Sequence, residues 1–335
     1  MSDPSTVFID LLAKTPAQPG RAYRLFAGPD GVQLQAFVDG ISRMPGISIR
    51  IAKSLVKETL NLPKMRGAEF KEEPYRATQD SYGIAYELTA AQKAYVDVFV
   101  ELASRLIIEA TSAGTGTEAI RRIAKRIAAW ARFFDSRGEN GLGRSAQLGL
   151  IGELLCLHKL GNLIGFQRSI GSWTGPKGTI HDFQNECGAL EVKLTTSHAP
   201  ERLRITSERQ LDEASHAWLG MFAVLAQEAS DGPTGLSNLV GRIRTEISEL
   251  DPASSGLFEE LLIESGYADA DREHYGVRLI VHEQNFLQVD GDFPRIRPGE
   301  LRPGVFDVAY DVAWSSLLPY RVTDDLVRRV LGVTD

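Results

Sequence analysis

Hydrophobic positions change their period along this chain, and each change predicts an element. Residues 23–27 and 32–38 are β-rich runs separated by Gly28-Pro-Asp-Gly31, which predicts a hairpin. Residues 47–55 and 82–88 predict further strands, and residues 90–111 and 118–134 carry apolar side chains at helical spacing. Residues 136–143 are rich in glycine and polar groups and predict a linker. The expected division is an α+β N-terminal domain over 1–138 and a second domain over 139–335. In the second, the pattern predicts a helix over 144–160, a strand near 165–170 and a hairpin around Asp182 and Glu191. A helix from about Ser207 and a strand over 218–225 follow. Beyond them lie helices over 236–250 and 255–265, strands over 277–289 and 305–313, and a closing helix over 323–331.

Four charges interrupt these apolar runs: Glu153, Asp182, Glu191 and Lys193. On a helix, Glu153 has Gly149, Leu150, Cys156 and Leu157 as face neighbours, so no base of its own helix can pair with it. A buried lone carboxylate must protonate, find a partner or bind a cation. In residues 189–195 the two-residue period puts Glu191 and Lys193 on one face of a strand, with Leu190 and Val192 on the other. Asn185, Glu186 and Gly188 are turn formers between Asp182 and Glu191, so a hairpin would carry Asp182 on the adjacent strand. Three carboxylates and one lysine are thereby expected to converge.

Composition changes this picture little. A chain of 335 residues, 43% hydrophobic and 24% charged, suits a globular protein of two domains. No apolar run reaches the length of a bilayer crossing, and the start, Met1-Ser-Asp-Pro-Ser5, lacks a basic leader region. Cys156 and Cys187 lack metal-type spacing and read as reduced core residues, so a cytoplasmic location without a membrane is expected. The net charge of −7 argues against a generally basic surface but not against a local patch. Two basic concentrations exist, Arg43, Arg50, Lys53, Lys57, Lys64 and Arg66, then Arg121, Arg122, Lys125, Arg126 and Arg132. They read as phosphate contacts or, more commonly, as a solvated helix face with Ile120, Ile123 and Ile127 packed inward. Acids gathered between Glu249 and Glu273 are expected to face solvent or a protein partner. The chain has no GxSxG elbow and no P-loop, and His282-Glu283 is followed by Phe286 where a zincin needs histidine.

Taken together, Gly149-Leu-Ile-Gly-Glu-Leu-Leu155, Trp173-Thr-Gly-Pro176, His181-Asp-Phe183, Leu190-Glu-Val-Lys193 and Ile205-Thr-Ser-Glu-Arg-Gln-Leu211 carry a resemblance. An acid on a helix, then Asp, then Glu-X-Lys across a hairpin resembles the PD-(D/E)XK, or restriction-endonuclease-like, superfamily. More narrowly, the motifs are similar to bacterial PD-(D/E)XK motif proteins of phage-defence gene clusters. His181 stands where the superfamily signature has proline, which is a backbone feature and not a ligand. The resemblance implies an α/β fold with a restriction-endonuclease-like core, a mixed central sheet flanked by helices. It implies a magnesium-dependent DNA endonuclease of bacterial restriction or anti-phage defence, with Mn2+ as a substitute for Mg2+.

Asp182, Glu191 and the Val192 carbonyl would then hold the metal, since magnesium favours oxygen ligands. Glu153 would hold a second ion or orient its waters, and Lys193 would position the attacking water or stabilise charge on phosphorus. Gln210, by resemblance, would contact the phosphate or the lysine, with Ser207 a weaker candidate. His181 reads as a base or as a hydrogen-bonded structural residue, and Trp173 as core or as a prop for the hairpin. Expected partners are DNA, a second copy in a homodimer, and ATPase, helicase or methyltransferase subunits, with the N-terminal domain contacting DNA or a partner. The alternative is a non-cleaving DNA-binding or scaffolding subunit of a defence complex. A third reading, a structural protein, would require Asp182 and Glu191 on opposite sheet faces.

Overall fold

The computed structural model describes residues 3–55, 65, 67–78, 81–136, 141–196 and 199–332. Its contacts divide the chain into two units, Met1–Gly141 with Gly266–Arg272, and Leu142–Ser265 with Glu273–Asp335.

The first unit opens with α1 (Pro4–Lys14), followed by β1 (Arg21–Ala27), β2 (Val32–Asp39), β3 (Pro45–Ala52), β4 (Ala68–Thr78) and β5 (Ser81–Ala90). Two helices close it, α2 (Val96–Thr111) and α3 (Gly116–Ser136). The strands form one antiparallel sheet in the order β1-β2-β3-β5-β4. Phe8, Leu34, Ile49, Phe99 and Trp130 are fully buried, the last two meeting edge to face at 5.9 Å.

Two elements were not expected. Asp3 caps α1 with Pro4 in its first turn, an N-terminal signal that precedes only a short apolar stripe. β4 carries Lys71, Glu72, Glu73 and Pro74, which hide a strand pattern; it forms at the sheet's edge, where proline is tolerated. The α3 face behaves as an ordinary amphipathic face: Ile120, Ile123 and Ile127 are buried, while Arg122 and Arg126 pair with Glu118 and Glu109. Arg43 donates to the Thr15 and Leu12 carbonyls. Lys57, Lys64 and Arg66, and residues 137–140 of the expected linker, lie outside the described residues.

In the second unit, α4 (Arg144–Ile164) and α5 (Phe166–Ser172) precede the hairpin β6 (Phe183–Asn185) and β7 (Gly188–Thr195), then β8 (Arg202–Ile205) and β9 (Leu219–Glu228). There follow β10 (Thr234–Gly235), α6 (Leu236–Leu250), α7 (Ser255–Glu264), β11 (Arg278–Gln288), β12 (Tyr310–Ala313), α8 (Trp314–Leu317) and α9 (Asp324–Leu331). The sheet order is β10-β11-β9-β7-β6, with β7 and β9 parallel and the other neighbours antiparallel. The fold is thus a mixed α/β arrangement, and this sheet is itself mixed.

Glycine lets α4 press on β7. A Cβ at Gly152 would stand 3.2 Å from Leu194 Cβ and 3.3 Å from Val192 Cγ1, so even-numbered residues of β7 face the helix. The odd face joins Ala189 with Leu203, Ile205, Met221, Ala223, Val312 and Trp314 in one buried cluster. There β8 pairs with β12 as a two-stranded ribbon.

Three sequence expectations need correction in this unit. Residues 165–170 are not a strand: Gly165, at φ +87°, ends α4, and Phe166 and Ile170 are buried four apart on the next helix. The Phe166 ring fills space left by Gly161, where a Cβ would meet it at 2.5 Å. The helix from Ser207 is one 3-10 turn, Glu208–Leu211; Asp212 then leaves helical conformation and caps a second short turn at Ala214. The 305–313 strand shrinks to β12, because Gly304 and Asp307 both take positive φ. The acidic stretch, divided between the two units, is also not wholly surface: Glu264 of this unit and Asp271 of the first are buried, and Glu259 pairs with Arg244.

Candidate active site

The hairpin ladder between β6 and β7 runs from Asn185↔Gly188 to Phe183↔Leu190 and stops there. Asn185 makes the turn, its Oδ1 accepting from the Cys187 and Gly188 N–H groups at 2.9 and 3.1 Å. Past Phe183 the strand partner is missing, and a side chain replaces it. Asp182 Oδ2 accepts from the Val192 N–H at 2.7 Å, the donor a longer β6 would have taken. A strand residue points its N–H and C=O to the same edge, so the Val192 carbonyl also faces the Asp182 side. Continuing the register puts Asp182 opposite Glu191, not on the reverse face that the structural-protein reading requires.

Loop residues 173–175 fix this arrangement. Asp182 O accepts from the Thr174 and Gly175 N–H groups at 2.8 Å each, and Trp173 bridges to Phe183. Trp173, fully buried, donates its indole N–H to Glu153 Oε2 at 2.7 Å. Gly175 completes the joint: a Cβ there would lie 2.7 Å from Glu153 Oε2 and 3.2 Å from Asp182 Oδ1. The two carboxylates therefore meet over one glycine. Glu191 is 1% exposed; its Oε1 is bonded to Lys193 Nζ, while Oε2 has no hydrogen-bond partner.

The electrostatics follow from burial. Desolvation first, and then the Asp182 charge, push the Glu153 carboxyl up to about 8, against the Trp173 bond and the Lys193 charge. Glu191 rises to about 8 for the same two leading reasons, with Lys193 opposing. Asp182 is raised by burial, while the Val192 N–H and Lys193 hold it back. One ammonium thus serves three carboxyls, and the site lacks positive charge.

Among the described residues, no group of three or more His, Cys, Asp or Glu has the spacing to hold a metal ion. Glu191 turns to Lys193, Glu153 to Trp173 and Asp182 to Val192, so the acids are drawn onto internal donors. Magnesium, however, binds through one or two carboxylates plus water and phosphate oxygens, without a closed cage. The orphaned Glu191 Oε2, Asp182 beside it and the Val192 carbonyl are hard oxygen donors of that kind, and a cation would take the place of the protons that burial holds on the acids.

The other sequence candidates stand nearby in different roles. Gln210 closes a capping box: its Oε1 accepts from Thr206 N at 3.1 Å, Thr206 Oγ1 at 3.0 Å and Ser207 N at 3.3 Å. A phosphate contact from Gln210 would therefore fall to its amide nitrogen, and Ser207 Oγ is engaged by the Arg209 N–H. His181 is buried, with Nε2 3.1 Å from Gln210 O, and burial followed by the neighbouring His216 lowers its pKa to about 4. It is neutral near pH 7 and bonds the 3-10 turn.

The residues that sequence reasoning left out of the site are Trp173, Thr174 and Gly175. The signal was present, since a buried indole needs an acceptor and Glu153 needed a donor. Residues 28–315 match the family described as "Putative PD-(D/E)XK family member" (DUF4420), whereas no curated protein and no solved structure matches the chain. Since that match spans most of the sequence, the chain belongs to this PD-(D/E)XK family.

Proposed function

We propose that this protein is a magnesium-dependent nuclease with a restriction-endonuclease-like core, hydrolysing phosphodiester bonds in DNA. The observation that carries the reading is the buried meeting of Glu153, Asp182 and Glu191 around a single Lys193, with Glu191 Oε2 left without a partner. In this reading Asp182, Glu191 and the Val192 carbonyl hold Mg2+ or, in its place, Mn2+, and Glu153 serves a second ion or its waters. When bound, the ion polarises the scissile phosphate and makes a water more acidic.

The chain's own groups do the rest. Lys193, aligned by Glu191, releases its ammonium toward the charge that develops on phosphorus or toward the attacking water. Trp173 holds Glu153 by one oxygen and keeps it from collapsing onto Lys193. The Val192 N–H holds Asp182 by Oδ2 and leaves Oδ1 toward Gly175 and the site.

A restriction or anti-phage role, a homodimer to cut both strands, and ATPase or methyltransferase partners are parts of the same proposal. The second reading, a DNA-binding subunit that does not cut, draws on the internal donors that already engage each acid. The two separate on incubation with supercoiled and linear phage DNA in magnesium, manganese or EDTA. Nicked or shortened products with either metal and none in EDTA support the nuclease. Salt-sensitive binding without any product supports the subunit.

A further inference from the structure

A cavity of about 570 Å³ adjoins the candidate active site, since His181, which lines it, directly precedes Asp182. Its walls are residues 178–181 with Gln184, then Arg209, Asp212 and His216, and Pro298. The volume lies within the range of about 300–1,000 Å³ usual for ligand pockets.

The walls combine three kinds of surface. Ile180 is 55% exposed, an apolar side chain left uncovered at the rim. Beside it the His181 and His216 rings meet edge to face, centroids 4.8 Å apart, and His181 is pinned by Gln210 O. Arg209 is 62% exposed and only grazes its acid neighbour: Nε lies 4.0 Å from Glu208, which is buried and bonded to the Val308 N–H. Apart from that approach, the Arg209 side chain lies open to solvent. Gln184 is exposed on the edge strand β6, and Asp212 uses Oδ1 to cap Ala214.

A simple anion would gain from Arg209 but would meet Asp212 and leave Ile180 wet. An apolar ligand would leave Arg209 and Gln184 unused. A nucleotide uses all of them: phosphate on Arg209, the base face on Ile180 and imidazole, and the base edge on the amide and carboxylate. We infer that this cavity receives one unstacked nucleotide of the substrate strand, next to the phosphate presented to Lys193. The inference rests on the nuclease reading and adds a preference: strands with a free or frayed nucleotide bind better than a continuous duplex.

The test uses the 335-residue chain in EDTA and fluorescence anisotropy with blunt duplexes and duplexes carrying a short single-stranded tail. Wild type binds tailed DNA more tightly than blunt. Arg209→Ala and His216→Ala each lose about tenfold of the affinity for tailed DNA, the size of one stacked base or phosphate contact. Arg209→Ala also lowers the salt slope by about one. Arg329→Ala, an exposed arginine on α9, binds like wild type. Circular dichroism checks that the variants fold. If folded Arg209→Ala and His216→Ala bind tailed DNA as wild type does, the inference is overturned while metal-dependent cutting keeps the nuclease reading. If wild type neither binds nor cuts any DNA, both fall together.

Discussion

At the residue scale the proposed chemistry rests on Glu191 and Lys193. Their bond places a cation in a site that otherwise holds three raised carboxyls, so Lys193→Ala removes the only positive group this constellation uses. Activity is expected to fall about 10²–10³-fold, as when one preorganised transition-state donor is lost. Single-turnover cleavage measures it, and an unchanged rate would remove Lys193 from the mechanism. The raised acids also fix a pH dependence. In the unfolded chain Glu153 and Glu191 lose their protons near 4.5, while in the folded, metal-free protein they keep them to about 8. Between those values the folded state binds more protons, so stability falls as pH rises and is lost through the folded pKa. Thermal melts in EDTA are therefore expected to move to lower temperature from pH 5 to pH 8. Glu153→Gln and Glu191→Gln flatten that slope. Added magnesium restores stability most at pH 8, because its ligands must be deprotonated. A melt that rises over this range would contradict the placement of these carboxyls.

Single glycines set how closely neighbouring segments approach, and they give the tests at the scale of elements. Gly175→Ala puts a methyl against the ends of Glu153 and Asp182, flexible side chains that can yield. The fold is expected to survive with a near-normal melt, while magnesium affinity and cutting fall at least tenfold as the carboxylates part. Gly152→Leu instead drives a side chain between α4 and β7, where Val192 and Leu194 stand close. Overpacking of that kind costs about 1–3 kcal/mol and is read from denaturant melts. These contacts also explain what the sequence made legible. Glu191 and Lys193 could be placed on one face because strand alternation is local, and α4, α6, α7 and β11 follow from periods that neighbours only reinforce. The 165–170 strand misled because six apolar and polar residues fit both periods, and only Gly165 and the Gly161–Phe166 fit choose the helix. The Trp173 bond to Glu153 joins elements twenty residues apart, and no local period reports it.

For the whole molecule, charge is the deciding quantity. With 44 acids against 37 bases, and with Arg122 and Arg126 of α3 engaged by Glu118 and Glu109, the net charge of the chain opposes DNA. No helix among the described residues is long and apolar enough to cross a membrane. Affinity for DNA is accordingly expected to rise when magnesium enters the site, several-fold over EDTA in filter binding with the non-cleaving Lys193→Ala variant; equal affinity would place DNA contact elsewhere. The most direct measurement compares wild type, Asp182→Ala and Lys193→Ala on one supercoiled plasmid with magnesium. Wild type is expected to nick or linearise it, with both variants folded and inactive. Equal cutting by all three, or cutting that EDTA leaves unchanged, would contradict the assignment of the site.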